Sequence, residues 1–217
     1  MTWMIKLYDI VACHHMLRII KRRPLDLNIE TINVCPLKCV FCCNRVYRRQ
    51  PIVMDNNLFE KIVRQYYHVG GGALGLGSMQ SDFFSDPHVI DRMRIIKKYK
   101  KRLFVYSTTP LISCKRFSDI ELTRILCLFD LLQISVNGHD EESYKVMSGI
   151  NGFRALTEQL VRIRKIIEVN KLKIRVDLHF RTCNKSELLK SKFYYEQSQI
   201  FNAYDIKNVF FSWFGSI

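Results

Sequence analysis

Apolar positions along this chain switch between two periods, and the switch recurs down its length. Short apolar or alternating runs predict strands at 27–33, 73–77, 103–107, 131–136, 172–180 and 206–213. Between them lie helical stripes. Leu58, Ile62 and Tyr66 with Phe59, Val63 and Tyr67 follow a capping-box-like Asn57 and Glu60, and Gly70 to Gly72 end that helix. Asp86 and Pro87 read as N-cap and first helical position of a helix to about residue 101. The run Ser118-Asp119-Ile120-Glu121 is a capping box ahead of Leu122, Ile125, Leu126 and Phe129. Phe153, Leu156, Leu160, Ile163 and Ile167 line a long helix over 152–169, and a last helix is expected over 186–199.

Six strands alternating with helices predict an α/β fold: parallel βα units curved into a partial (β/α)6 barrel, TIM-like, with outer helices. Alternation within strands assigns the faces. Leu132, Ile134 and Val136, like Leu172, Ile174, Val176, Leu178 and Phe180, point towards the helices; Gln133, Ser135 and Asn137, with Lys173, Arg175, Asp177 and His179, point into a polar lumen. Residues 3–22 carry Trp3, Leu7, Ile10, Val11, Leu17 and Ile20, expected to form a helix at the barrel's end, which divides the chain into an extension (1–24) and a barrel (25–217).

With 217 residues and 48% hydrophobic content, the chain supports one sizeable core. No apolar run reaches the ~18 residues of a membrane span, and the first twenty residues interrupt a signal-like stretch with Asp9, His14 and His15, so no membrane and a cytoplasmic location are expected. The net charge of +14 raises the question of nucleic acid. Its distribution over helix ends (97–102) and helix faces (Arg154, Arg162, Lys165) is that of solvated charge, and nucleic acid is not expected as a partner.

Chemistry concentrates in Cys35-Pro36-Leu37-Lys38-Cys39-Val40-Phe41-Cys42, three thiols in eight residues directly after the first strand. Structural zinc calls for four ligands, usually in two pairs, and no second pair is present; Cys43 adjoins Cys42, and neighbouring side chains in an extended loop are expected to diverge. Disulfides would need an oxidising compartment. The spacing, with Phe41 before the third cysteine, resembles the CxxxCxφC signature of the radical S-adenosylmethionine (radical SAM) superfamily. That resemblance implies a 4Fe-4S cluster held by Cys35, Cys39 and Cys42, with one iron left open for S-adenosylmethionine. It further implies that Asp82, preceded by Ser81, takes the place of the family's GGEP-like motif and receives the methionyl ammonium, that Ser135 and Asn137 on the fourth strand approach the cofactor, and that Phe41 lies beside the adenine.

The implied activity is reductive cleavage of S-adenosylmethionine to a 5'-deoxyadenosyl radical. A peptide or protein substrate and an external electron donor are the implied partners, in the manner of SPASM- or twitch-containing peptide-modifying enzymes. The stretch 208–215 resembles the one that precedes a SPASM module, so the expectation is either a truncated chain or a lid supplied by a second chain. The competing reading is a non-catalytic, metal-stabilised module that binds RNA or a protein through its basic surface. Cys13, Cys43, Cys114, Cys127 and Cys183 are read as small buried apolar groups.

Overall fold

The computed structural model describes residues 23–45, 50–77 and 80–208, with Ala12 and Met16. Six strands, β1 (Asp26–Ile29), β2 (Gly72–Leu76), β3 (Leu103–Thr109), β4 (Leu131–Val136), β5 (Arg175–Thr182) and β6 (Asn202–Asn208), form one sheet in sequential order. Every neighbouring pair is parallel, so each connection must cross over, and helices make the crossings. These are α1 (Asn56–His68), α2 (Val89–Tyr99), α3 (Asp119–Leu126), α4 (Glu141–Ser148), α5 (Phe153–Val169), α6 (Lys185–Lys190) and α7 (Lys192–Ile200). The predicted partial barrel is therefore present.

The two faces separate as the alternation requires. Leu74, Leu76, Val105, Leu132, Ile134, Val136, Leu178 and Phe180 are buried in one core with Phe59, Val63, Ile96, Leu122, Ile125, Leu160 and Ile163 of the helices. The lumenal face is polar and internally bonded. Tyr106 donates its hydroxyl towards Asp26 and Asn28, Thr108 Oγ1 donates to Gln133 Oε1 at 3.0 Å, and Arg175 pairs with Asp177 at 2.9 Å. Gly75 lies between Asn28 and Tyr106, where a Cβ would overlap both.

Several boundaries differ from expectation. The chain leaves the sheet after Ile29, and Ile32 makes an antiparallel bridge to Val53, which ties the segment after β1 to the approach to α1. Helix α1 is capped by Asp55, whose carboxylate accepts from the Asn57 and Leu58 amides, not by Asn57. Asp86 closes a 3-10 turn (Phe83–Ser85) and α2 starts at Val89, so Pro87 precedes the helix. Lys171 turns the chain with a φ of 50° and β5 begins only at Arg175, which shortens the expected strand at its start and extends it to Thr182. The 186–199 helix is two helices divided at Ser191, whose hydroxyl accepts from the Tyr194 amide and caps the second. The last strand lies at 202–208, earlier than predicted; positions 209–217, like most of 1–22, fall outside the described residues. Cys43 and Cys114 are buried, but Cys127 and Cys183 are exposed, contrary to the apolar reading of both.

Behind the site, one buried cation joins three segments. Arg92 of α2 is fully buried, pairs with the equally buried Asp86 at 3.3 Å, and donates to Asn56 Oδ1 at 2.7 Å and to the carbonyls of Met54 and Asp55, with Phe59 against its guanidinium. A buried charge with this many partners is satisfied where it stands and costly to disrupt.

Candidate functional site

The three sequence-predicted cysteines occupy the loop after β1, at the carboxyl end of the sheet. Within the loop the Cys42 amide donates to the Cys39 carbonyl at 3.0 Å, and at its start the Val34 carbonyl accepts from the Asp82 amide at 3.0 Å. Further support comes from α4: the amides of Lys38 and Val40 donate to the carbonyls of Ser148 (2.8 Å) and Met147 (3.1 Å) at its carboxyl end. Helix α4 begins with a reciprocal capping box between Asp140 and Ser143 and ends at Gly149, whose φ of 71° suits glycine. A Cβ at Gly149 would sit 2.6 Å from the Lys38 carbonyl oxygen, so the close seating of the loop depends on this glycine.

Cys35, Cys39 and Cys42 line one open cavity of about 120 Å³ together with Phe41, Gln80, Ser81, Thr108, Ser135, Asn137 and Arg181. Four of the five expected cofactor residues are thus brought to the same cavity as the thiols. Arg181 donates to Ser135 Oγ at 2.9 Å and lies 5.5 Å from the centre of the Phe41 ring, so one guanidinium links β4, β5 and the cysteine loop. Asn137 Nδ2 donates to Cys39 Sγ at 3.3 Å.

Asp82 is placed differently. Its carboxylate is fully buried behind the cavity wall, where it accepts from Thr109 Oγ1 (2.8 Å), the Phe84 amide (3.3 Å) and Ser85 Oγ (3.5 Å). It is the cap of the 3-10 turn that follows β2, and burial pushes its carboxyl up against the opposing pull of the hydroxyls of Ser113 and Thr109. The structure does not bring this carboxylate to the cavity; its neighbour Ser81 is there instead.

The donor set suits an iron-sulfur cubane better than a single ion. Among the described residues no three His, Cys, Asp or Glu side chains converge closely enough to hold one metal ion, and none of the seven described cysteines forms a disulfide. A cubane takes its thiolates on separate corners, and three cysteines leave one iron free. Burial pushes all three thiols up, Cys39 to about 12 with Cys42 adding to the rise and Arg181 opposing it; the Asp82 charge adds to the rise at Cys35. Such thiols ionise only against a compensating positive charge, which iron provides, with release of protons. Two buried polar atoms of lining residues, Ser81 Oγ on the β2 side and Asn137 Oδ1 on the β4 side, have no hydrogen-bond partner, so hydrogen-bonding capacity is left unfilled around the cavity.

Sequence reasoning missed Arg181, Thr108 and α4. Carrying the alternation of Asp177 and His179 one step further reaches Arg181, and Asp140 three residues before Ser143, with Gly149 at the other end, marks a further helix between β4 and the long helix.

Comparison with known proteins agrees with this geometry. The pattern described as "Radical SAM superfamily" matches residues 29–179. No curated protein matches the chain. Among solved structures, anSMEcpe with bound AdoMet and Cp18Cys peptide superposes with a TM-score of 0.64 at 15% identity, covering 86% of this chain and 51% of that one. Streptococcus suis SuiB bound to S-adenosylmethionine gives 0.62 at 17% identity, covering 92% and 45%, and SuiB bound to its precursor peptide SuiA gives 0.59 at 17%, covering 87% and 39%. At these identities the likeness is one of fold, and the chain spans about half the length of these proteins or less. A family pattern over most of the chain, the barrel and three cysteines in one cavity lead to the same conclusion: the chain belongs to the radical SAM superfamily, whose enzymes work with a 4Fe-4S cluster and S-adenosylmethionine.

Proposed function

We propose that this chain is the catalytic core of a radical SAM enzyme that cleaves S-adenosylmethionine reductively and uses the resulting 5'-deoxyadenosyl radical on a peptide or protein. The observation that carries the reading is the shared cavity: Cys35, Cys39 and Cys42 line it together with Ser81 and Asn137, whose Oγ and Oδ1 are unpartnered. A cluster held there would supply the electron that breaks the sulfonium bond.

The chain's own residues do the holding and orienting. Cys35, Cys39 and Cys42 are the ligands, presented by a loop that α4 anchors through two backbone hydrogen bonds. Ser81 and Asn137 offer a hydroxyl and an amide oxygen to the polar groups of S-adenosylmethionine, Ser135 stands beside them under Arg181, and Phe41 presents a ring face against which an adenine can stack. Asp82 acts at one remove, by fixing the turn that places Ser81.

The peptide class rests on two neighbours of the same fold, one bound to a Cp18Cys peptide and the other to the precursor peptide SuiA. An external electron donor, and a SPASM-like module or second chain, complete the proposal. A reducing, cytoplasmic setting suits the exposed, unbridged cysteines Cys127 and Cys183, and no helix among the described residues is long and apolar enough to cross a membrane. Anaerobic reconstitution should give about four irons per chain and 5'-deoxyadenosine on addition of reductant. Iron binding that survives replacement of Cys35, Cys39 and Cys42 by alanine would sink the assignment.

A further inference from the structure

Asn137 follows β4 directly and is 1% exposed, and the two ends of its amide are in different situations. Nδ2 donates to Cys39 Sγ; Oδ1 is buried without a partner. A thiolate on iron only accepts hydrogen bonds, so the NH2 end is the one it must meet. That orientation leaves Oδ1 as an unmet acceptor in the cavity wall. The neighbouring Gly138, with a φ of 123°, packs against the backbone of Tyr144 so closely that no side chain fits, which fixes the backbone from which Asn137 projects.

We propose that Asn137 is a positioning residue that couples occupancy of the cavity to the electron affinity of the cluster: its NH2 holds the Cys39 sulfur, and a hydroxyl or ammonium group of the bound ligand locks the amide by donating to Oδ1. Reduction places additional negative charge on the cluster and its sulfurs, so an N–H donor to a ligating sulfur favours the reduced state. Cys39 is itself buried, which strengthens that bond relative to one in water. A ligand that fixes the amide in the donating orientation therefore makes the cluster easier to reduce when the cavity is filled.

The inference rests on the cluster reading above, and the two fail differently: absence of iron uptake by the wild-type chain overturns the reading, while normal uptake with unmoved potentials overturns the inference alone. The test is an anaerobic dithionite titration, followed by electron paramagnetic resonance, of the reconstituted chain and of Asn137→Ala and Asn137→Asp at matched iron content. Each is titrated with and without S-adenosylhomocysteine, which lacks the sulfonium and is not cleaved. Loss of the bond should disfavour the reduced state by roughly tenfold, equal to about 59 mV towards more negative potential for one electron. Asn137→Asp, with a carboxylate beside the sulfur, should fall further. The ligand should raise the wild-type midpoint, and this rise should shrink in both variants.

Equal midpoints in wild type and variants, or a ligand-induced rise of unchanged size, overturn the proposal. Should neither variant assemble a cluster, wild-type chain labelled with 15N in asparagine side chains provides the second measurement. The reduced cluster should then show a nitrogen hyperfine coupling in pulsed resonance, and its absence is equally decisive against the role of Asn137.

Discussion

The segments that follow β2 and β4 both bring buried polar residues to the cysteine cavity, yet they are finished to different degrees. On the β2 side, Asp82 accepts from Thr109, Phe84 and Ser85, and Asp86 accepts from the His88 amide and pairs with Arg92, so both buried carboxylates are used up within the protein. On the β4 side, Asn137 has one end bonded and one end open. Ser81 is the exception within its own loop, an unpartnered hydroxyl next to a fully engaged carboxylate. Charge alone is a poor guide to which residue meets a ligand; unfilled hydrogen-bonding capacity is the better one.

That contrast breaks most readily at Arg92. Arg92→Met keeps much of the volume but leaves Asp86 buried without its cation, and should destabilise the chain by about 3–5 kcal/mol in denaturant unfolding. Asp82→Asn should act on the same observable and in the same direction, by up to about 3 kcal/mol, because one amide oxygen cannot replace a carboxylate that accepts from three donors. If instead stability held and only S-adenosylmethionine binding weakened, the carboxylate would be a ligand group after all. Gly149→Ala, on the opposite side, should cost about 1–2 kcal/mol through its left-handed backbone and its approach to Lys38, and should speed hydrogen exchange at the Lys38 and Val40 amides. The smallest change in stability belongs to Ser81→Ala. Removing an unpartnered hydroxyl should leave unfolding within about 0.5 kcal/mol of wild type, while S-adenosylmethionine binding to the reconstituted chain, followed by calorimetry, weakens by about 0.5–1.5 kcal/mol.

Much of this molecule can be read along the chain because its strands have two chemically different faces. Period-two alternation in β4 and β5 separates Ile134 and Leu178 from Ser135 and His179, and six repetitions of strand and helix lead to the partial barrel. The cysteine spacing marks the site. Element ends were less legible, since they are decided by contacts distant in sequence: Ile32 leaves the sheet to meet Val53, and Ser191 divides a helix that periodicity alone would continue. Asp82 shows the limit most clearly. The position of a carboxylate in a motif is visible in sequence, whereas the hydroxyl of Thr109, twenty-seven residues away in the chain, decides where it points. Arg181 was lost to a strand end placed two residues early.

The dependence of the cysteine loop on α4 also bears on the order of events during synthesis. The loop leaves the ribosome more than a hundred residues before the Met147 and Ser148 carbonyls that receive its amides. Until β4, α4 and Gly149 have emerged and docked, the loop lacks the two hydrogen bonds that seat Lys38 and Val40, and its three thiols stand open to oxidation and to adventitious metals. Maturation of the iron site is therefore expected late, on a chain whose fourth βα unit is already folded. Ribosome-stalled chains ending before residue 140 should fail to retain iron that chains stalled well beyond residue 150 keep.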